Sequence, residues 1–168
     1  MKGLPRSVSR AAPQAQAVRR QRVRVAALAM TTTGLVGVGF GTAVLGDLPA
    51  GNILFLGAMA YLQFTKGSAG TQATFDGDYS IGTTATADAT LSTTDANVIG
   101  SSALGAATAG VSPVVRGSGA TAVMLDNTDG SLELNLNLII DDANVSADDQ
   151  AFTVTGVIDL VYSVLGDD

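Results

Sequence analysis

Residues 132–140 read LELNLNLII, and this stretch decides the fold class of the 168-residue chain. Apolar side chains occupy every second position from Leu132 to Ile140, and polar side chains fill three of the four positions between them. Because successive side chains of a β-strand point to opposite faces, this period of two predicts a strand with one apolar face. A similar alternation runs from Phe152 to Val164. The two segments predict an all-β fold.

Turn-forming residues bound the first of these strands, with 126–130 before it and Asp141-Asp142 after it. Further strand candidates are 22–30, 35–46, 52–65, 72–82, 112–116 and 121–125. A total of about eight strands predicts a β-sandwich of the jelly-roll type. One short helix is predicted at 95–104, with Thr94 as its N-cap. The rest of the Ala-, Gly- and Thr-rich stretch 83–110 is expected to be a long connection.

The uncharged stretch 25–46 is formally long enough to span a bilayer as a helix. Its composition argues against such a helix, because five of its 22 residues are Gly and four are Thr. From Val36 to Val44 the larger side chains again recur at every second position. We therefore expect a buried strand here and no membrane partner.

The chain has no His, no Cys and no Trp. It therefore lacks a thiol nucleophile, an imidazole base and the usual nitrogen and sulfur ligands of zinc. The acidic turns around Asp76 and at 126–130 contain Gly, as calcium loops do, but neither matches the twelve-residue pattern that ends in Glu. The acid pairs at 141–142 and 148–149 are not accompanied by an aromatic sugar platform. We expect no enzymatic activity, no cofactor and no metal site.

Basic residues are concentrated at the start of the chain, where seven of the nine fall within residues 1–24. No acidic residue precedes Asp47, so the segment 1–24 carries a charge of +7 and the remaining residues carry −13. The segment has too few large apolar residues to build a core of its own. We expect two parts: a basic N-terminal arm at 1–24, flexible or ordered by a lattice, and a β-sandwich domain at 25–168.

Four interpretations of the basic arm stand beside one another: a solubilising tail, a secretion signal, a nucleic-acid-binding segment, and a segment that docks on an acidic protein lattice. The basic region is too long for a secretion signal, and no aromatic residues accompany the arginines for base stacking. We favour docking on protein, driven by electrostatic attraction, and expect no nucleic-acid partner. The candidate contact residues are Arg6, Arg10, Arg19, Arg20, Arg22 and Arg24.

Two predicted strands are apolar on both faces, namely 53–62 and 157–165. In an antiparallel sandwich one face of each strand commonly meets water, so these strands need a second cover. The cover is a neighbouring subunit, a lattice, or the chain's own N-terminal segment. We expect a homo-oligomer whose interface uses these strands, with Phe55, Met59 and Tyr61 as candidate contact residues.

The segments 41–53, GTAVLGDLPAGNI, and 161–168, VYSVLGDD, resemble a group of small head proteins of tailed bacteriophages. The group consists of capsid decoration proteins, also called cement proteins. The stretch 81–91, IGTTATADATL, is similar to the Ala/Thr-rich connection of that group. The resemblance extends over residues 41–168, and its segments carry no catalytic residue.

The resemblance implies a β-sandwich, often a jelly roll, that is usually trimeric on the outer capsid surface at threefold positions. It implies the major capsid protein and other copies of this chain as partners, and it implies no cofactor and no substrate. The alternatives are another phage head or tail component, such as a head-fibre base or a tail tube, and a secreted carbohydrate-binding or adhesin module. A hydrolase built on a β-sandwich is the enzymatic alternative.

Overall fold

A computed structural model describes residues 18–35, 37–67, 73–119, 122–141 and 149–165. The strands of this part of the chain are β1 (Arg19–Leu35), β2 (Val38–Asp47), β3 (Gly51–Lys66), β4 (Gly77–Gly82), β5 (Ile99–Ala103), β6 (Val115–Gly119), β7 (Val123–Asn127), β8 (Glu133–Ile140) and β9 (Gln150–Val164). Thr93–Asp95 forms one turn of 3-10 helix. The predicted all-β fold is confirmed. Across these ranges no helix is long and apolar enough to cross a membrane.

The strands form one antiparallel sheet that folds into two packed layers. The first layer has the order β1-β9-β3, and β6 and β7 pair in succession with the far edge of β3. The second layer has the order β2-β8-β4-β5. The last residues of β1 leave the first layer and pair with β2, with Thr33 opposite Phe40. This pairing joins the two layers along one side.

Pairing of early strands with late ones gives the jelly-roll connectivity. β1 pairs with β9, β2 with β8, β3 with β6 and β7, and β4 with β5, all antiparallel. One long hairpin rolled into two layers has this order when β6 and β7 count as halves of one interrupted strand. The predicted β-sandwich of the jelly-roll type is therefore confirmed.

The core lies between the layers and takes apolar side chains from both. Phe64 of β3 and Tyr79 of β4 meet across it, with ring centroids 5.5 Å apart. Phe152 of β9 packs edge-on against Phe75 at 5.2 Å. The two strands that decided the fold class supply many of the most buried residues, among them Leu134, Leu136, Leu138, Ile140, Val154, Ile158 and Leu160.

The polar face of β8 is covered by the long connection between β4 and β5. Asn137 is fully buried. Its Oδ1 accepts hydrogen bonds from Thr42 Oγ1 at 2.5 Å and from Thr86 N at 2.9 Å. Its Nδ2 donates to Thr84 O at 3.0 Å and to Asp95 O at 2.8 Å. Three of these four partners belong to the connection, and the fourth, Thr42, belongs to the neighbouring strand β2. The hydrogen bonds therefore hold the connection against the outside of the second layer.

One extra residue in β3 explains why its sequence is apolar on both faces. Phe55 lies opposite Tyr162 of β9 and Gly57 lies opposite Val161, so Leu56 has no counterpart and forms a β-bulge. Core-facing residues are odd-numbered before the bulge and even-numbered after it: Ile53, Phe55, Ala58, Ala60, Leu62 and Phe64. Much of the pattern that predicted a second cover is thus one apolar face that changes parity at Leu56.

The helix predicted at 95–104 is wrong, because the second half of this segment is strand β5. Ile99 is fully buried and lies opposite Ile81 of β4. The turn Thr93–Asp95 begins after Ser92, two residues earlier than the expected cap would place it, and Ser92 N donates to Asp95 Oδ1 at 2.6 Å. Burial of Ile99 against a neighbouring strand outweighs the weak local preference of this Ala-, Ser- and Gly-containing stretch.

Candidate functional site

The outward surface of the first layer carries the candidate site, which we call the arginine face. Its members are Arg20, Arg22 and Arg24 of β1, Val157, Asp159 and Val161 of β9, Gly57, Met59 and Tyr61 of β3, and Arg116 of β6. Strand register arranges them in rows across the layer. One row is Arg24, Val157, Tyr61 and Arg116, and the next contains Arg22, Asp159 and Met59.

Alternation along β1 turns the arginines outward. Val25 is buried and Val23 is partly buried against the core, whereas Arg20, Arg22 and Arg24 are exposed. Because neighbouring side chains of a strand point to opposite faces, anchoring the valines on the core leaves the arginines on the solvent side.

Asp159 is held by two arginines. Arg22 Nε and Nη2 donate to Asp159 Oδ1 and Oδ2, each at 2.8 Å, and Arg20 Nη2 lies 3.4 Å from Oδ2. The hydrogen bonds from Arg22 are the main reason that the pKa of Asp159 lies below its usual range, and they raise the pKa of Arg22. The side chains of Arg20 and Arg22 remain 68% and 61% exposed. The carboxylate therefore orients the guanidinium groups without removing them from solvent.

The face has a net positive charge, since four arginines surround one carboxylate. Arg24 and Arg116 are exposed, and neither forms a hydrogen bond or ion pair with another residue in the described ranges. Arg116 lies opposite Tyr61, which is 40% exposed, and Arg24 lies in the same row on the far side of Val157. These two charges are available to a partner.

A shallow depression of about 500 Å³ lies within the face. Four small residues line it, together with two larger apolar side chains and three charged ones: Gly57, Ala58, Ser118, Gly119, Met59, Val161, Arg20, Arg116 and Asp159. The depression exists because the residue that follows the bulge in β3 is a glycine and carries no side chain. Most of its wall is apolar and its charge is mainly positive, so it fits an acidic side chain with an apolar stem.

Exposed apolar side chains extend the face toward β7. Leu56 at the bulge is 40% exposed, and Met124 of β7 is 57% exposed. Met124 lies opposite Leu54 on the same outward side. Together with Met59 and Tyr61 they form an apolar strip between the arginines of β1 and Arg116 of β6.

The structure brings five of the nine predicted contact residues together on this face: Arg20, Arg22, Arg24, Met59 and Tyr61. Phe55 is not among them, because it packs in the core with its ring 5.7 Å from that of Tyr162. Arg19 lies opposite Tyr162 in β1, at the other parity, and is exposed. Arg6 and Arg10 lie outside the described residues.

β1 begins at Arg19, so the last six residues of the expected arm lie within the sheet. They pair with β9, from Arg19 opposite Tyr162 to Arg24 opposite Val157. The rest of the arm, 1–17, lies outside the described residues.

Sequence reasoning missed Arg116 and the partner role of Asp159. A signal existed for each. Asp159 is the single charged residue in the otherwise mainly apolar stretch 157–165, and Arg116 is one of only two basic residues after position 24. When one face of a strand is apolar, a single charged residue on the other face indicates that this other face points to solvent.

Within the ranges that the structure describes, no three His, Cys, Asp or Glu side chains lie close enough together to hold a metal ion.

Comparison with known proteins gives no match to a family model. No curated protein of similar sequence is found. Among solved structures, the chain is similar to the infectious bursal disease virus VP2 subviral particle, with 12% identity, a TM-score of 0.42, and coverage of 92% of this chain and 34% of that chain. It is similar to the T13 viral particle of the same virus with 13% identity, a TM-score of 0.41, and coverage of 88% and 31%. The chain thus spans about one third of the length of these structures.

Proposed function

We propose that this chain is a virion structural protein that binds the outer surface of an assembled tailed-phage capsid. In this role it acts as a homotrimeric decoration protein and stabilises the shell by bridging neighbouring major capsid subunits. The observation that carries the proposal is the arginine face, which has the composition of a protein-binding surface.

The arginine face matches the anatomy of protein–protein interfaces. Such interfaces have an apolar centre and a polar rim, and they are enriched in Arg, Met and Tyr. Arg and Tyr are also the residue types that contribute most to binding energy. Here Met59, Tyr61 and Leu56 form the centre, and the arginines of β1 and β6 form the rim. A surface of this kind supports association with protein.

A decoration role combines this association with a second contact to the shell. Residues 1–17 contain three basic residues and no acidic residue, so we assign them to an acidic surface of the major capsid protein. When one chain makes two tethered contacts, the second forms at a high effective concentration. The resemblance of residues 41–168 to phage decoration proteins supports the decoration role.

The experiment compares phage capsids that lack this protein with the same capsids after addition of the purified full chain. We expect cosedimentation with the capsid, antibody labelling on its outer surface, and release of packaged DNA at a higher temperature than without the protein. Equal release temperatures with and without bound protein contradict stabilisation, and absence of cosedimentation contradicts capsid binding.

A truncation that removes 1–17 is the matched variant. It leaves the whole of β1 in place, whereas removal of 1–24 would take away six residues that pair with β9. We expect the truncated protein to keep its cooperative unfolding and its oligomeric mass, and to lose most of its capsid binding. Unchanged capsid binding contradicts the role given to this segment.

A further inference from the structure

We propose that the arginine face of one copy binds an acidic surface of a second copy of this chain. This surface, which we call the acidic end, consists of Asp47, Asp126, Asp129 and Glu133, all exposed. The stretches 45–52 and 125–134 that form it contain no Lys or Arg. The contact pairs four carboxylates with a surface of four arginines and one carboxylate, which is strong charge complementarity.

Asn127 holds the acidic end in one shape. It is fully buried, and its Nδ2 donates to Leu48 O at 3.2 Å and to Pro49 O at 2.9 Å. Its Oδ1 accepts a hydrogen bond from Leu132 N at 2.8 Å. These bonds tie the end of β2, the end of β7 and the start of β8 together. The carboxylates are thereby pre-organised, which lowers the entropy cost of binding.

Two of the carboxylates are also oriented by their own turn. Thr128 N and Oγ1 donate to Asp126 Oδ1 at 3.1 and 2.8 Å. Ser131 N and Oγ donate to Asp129 Oδ1 at 3.0 and 2.8 Å. The backbone hydrogen bond from Ser131 is the main reason that the pKa of Asp129 lies below its usual range. The lowered pKa favours the ionised form of Asp129.

The two surfaces lie at different positions along β3, so the acidic end of one copy cannot contact the arginine face of the same copy. Asp126 lies opposite Asn52, which is seven residues from Met59 at the centre of the arginine face. The bulge at Leu56 reduces this to six rows of the ladder, so at 3.3 Å per residue the separation is about 20 Å. The partly buried Leu54 and the exposed Met124 lie between the two surfaces. A neighbouring copy that places its acidic end over the arginine face can cover this apolar strip as well.

Repulsion excludes the simplest alternative arrangement of two copies. Two arginine faces stacked in register bring eight guanidinium groups together, and like charges across an interface oppose association. A displaced contact, with the acidic end of one copy over the arginine face of the next, replaces this repulsion with attraction.

The other acidic residues offer a poorer match. Asp76 and Asp149, at the opposite end of the sandwich, already interact with other groups of the chain, and the exposed Lys66 lies at that end too. Asp88 is exposed on the connection over the second layer. Within the residues that the structure describes, the acidic end combines four exposed carboxylates with the support of the buried Asn127 and no nearby Lys or Arg in its own stretches.

The test uses charge reversal in the full chain, with mass measured by size-exclusion chromatography and light scattering. Arg24→Glu with Arg116→Glu reverses two charges of the face that make no described contact in the fold. Asp47→Lys with Glu133→Lys reverses two charges of the acidic end and leaves the turn with Asp126 and Asp129 intact. Lys66→Glu is the matched control for the face, and Asp88→Lys is the matched control for the acidic end. Circular dichroism and urea unfolding confirm that each variant is folded.

We expect each double variant to weaken self-association at least about tenfold, and we expect the quadruple variant to restore it, because the reversed charges again attract. The controls keep the wild-type dissociation constant. Raising the salt concentration from about 0.05 M to 0.5 M weakens the wild-type contact, since the Debye length shortens. A monomeric wild-type protein, an unaffected acidic-end variant, or a quadruple variant that stays dissociated overturns the inference.

The inference rests on the oligomer of the proposed function, but its test contains no capsid. A protein that self-associates with this charge pattern and fails to bind capsids contradicts the proposed function alone. A protein that binds capsids and shows none of the charge pattern contradicts the inference alone.

Discussion

Replacing Tyr79 with Phe removes one hydroxyl group from the centre of the sandwich and leaves the aromatic ring in place. Tyr79 is fully buried, and its Oη has no hydrogen-bond partner among the residues that the structure describes. A glycine makes room for this oxygen, because a Cβ at Gly117 would lie 2.5 Å from it. The ring packs against Phe64 at 5.5 Å, and this contact is kept in the variant.

The expected gain follows from the cost of burying a polar group. An unpaired buried hydroxyl costs about 1–3 kcal/mol relative to one that is hydrogen-bonded in water. Its removal leaves only a small void beside Gly117, so we expect the Tyr79→Phe variant to be more stable by about 1–2 kcal/mol. For a chain of this size each kcal/mol raises Tm by about 2–4 °C.

Alkaline pH enlarges the difference. Burial raises the pKa of Tyr79 to about 12, whereas an unfolded tyrosine titrates near pH 10. Between these two values the tyrosine ionises in the unfolded state but stays neutral in the folded state. The free energy of unfolding of the wild type is therefore unaffected below about pH 10 and falls as the pH rises toward 12. The loss is at most about 1.4 kcal/mol per pH unit, and the Tyr79→Phe variant does not suffer it.

Urea unfolding from pH 7 to pH 11 measures both effects, and Tyr61→Phe is the matched control. Tyr61 is 40% exposed on the arginine face, so its hydroxyl is solvated and its removal should leave the stability unchanged. A Tyr79→Phe variant that is less stable than the wild type, or that loses stability at alkaline pH in the same way, refutes the reasoning. Such a result means that Oη has a partner, for example a buried water.

Three further changes test the supports of the fold, each by urea unfolding. Asn127→Ala leaves buried backbone groups without their hydrogen bonds, and we expect it to cost about 2 kcal/mol or more. Gly156→Ala is expected to cost about 1–3 kcal/mol, because Gly156 has φ +148° and the new Cβ would meet a backbone oxygen. Gly100→Ala is the neutral control, since a Cβ at Gly100 meets nothing within 4 Å. Asp159→Asn tests the pair with Arg22: since the pKa of Asp159 is lowered in the folded state, the pair stabilises the fold above about pH 4 and this difference closes as the pH falls further.

Alternating hydrophobicity was sufficient to predict the strands that hold the core. The period of two in β8 and β9 marked residues such as Leu136 and Ile158, which are fully buried. Turn residues bounded β8 correctly, because Asp and Gly at 126–130 form the turn whose Asn127 anchors the neighbouring strands. These features depend on local patterns, which a sequence displays directly.

Strand β5 was missed because its identity depends on a partner and not on its own residues. The stretch IGSSA has one large apolar side chain, that of Ile99, and little intrinsic preference for a strand. Pairing with β4 buries Ile99 opposite Ile81, and this contact stabilises the strand. A single sequence contains no measure of that pairing, so the local preference of the flanking residues dominated the prediction.

The candidate site was likewise predictable where it depends on local patterns and unpredictable where it depends on strand pairing. The cluster of arginines in β1 was evident from charge alone, and so was the apolar character of the strand that contains Met59. Their meeting was not, because Arg22 and Asp159 are 137 positions apart in the sequence and become neighbours only through the register of β1 and β9. The exclusion of Phe55 from the surface likewise depends on the bulge, which a plain alternation cannot reveal.

The bulge at Leu56 connects the packing of the core to the composition of the arginine face. With an unbroken alternation from Ile53 onward, Met59 and Tyr61 would point into the core and the small Ala58 and Ala60 would point to solvent. The extra residue places the two alanines inside, where Ala60 is fully buried, and brings the two large side chains out beside the arginines. The same residue puts Gly57 at the depression. A bulge disrupts the hydrogen bonding between paired strands, and this one interrupts the pairing of β3 with β9. The bulge is therefore better explained by the surface that it produces than by the stability of the isolated fold.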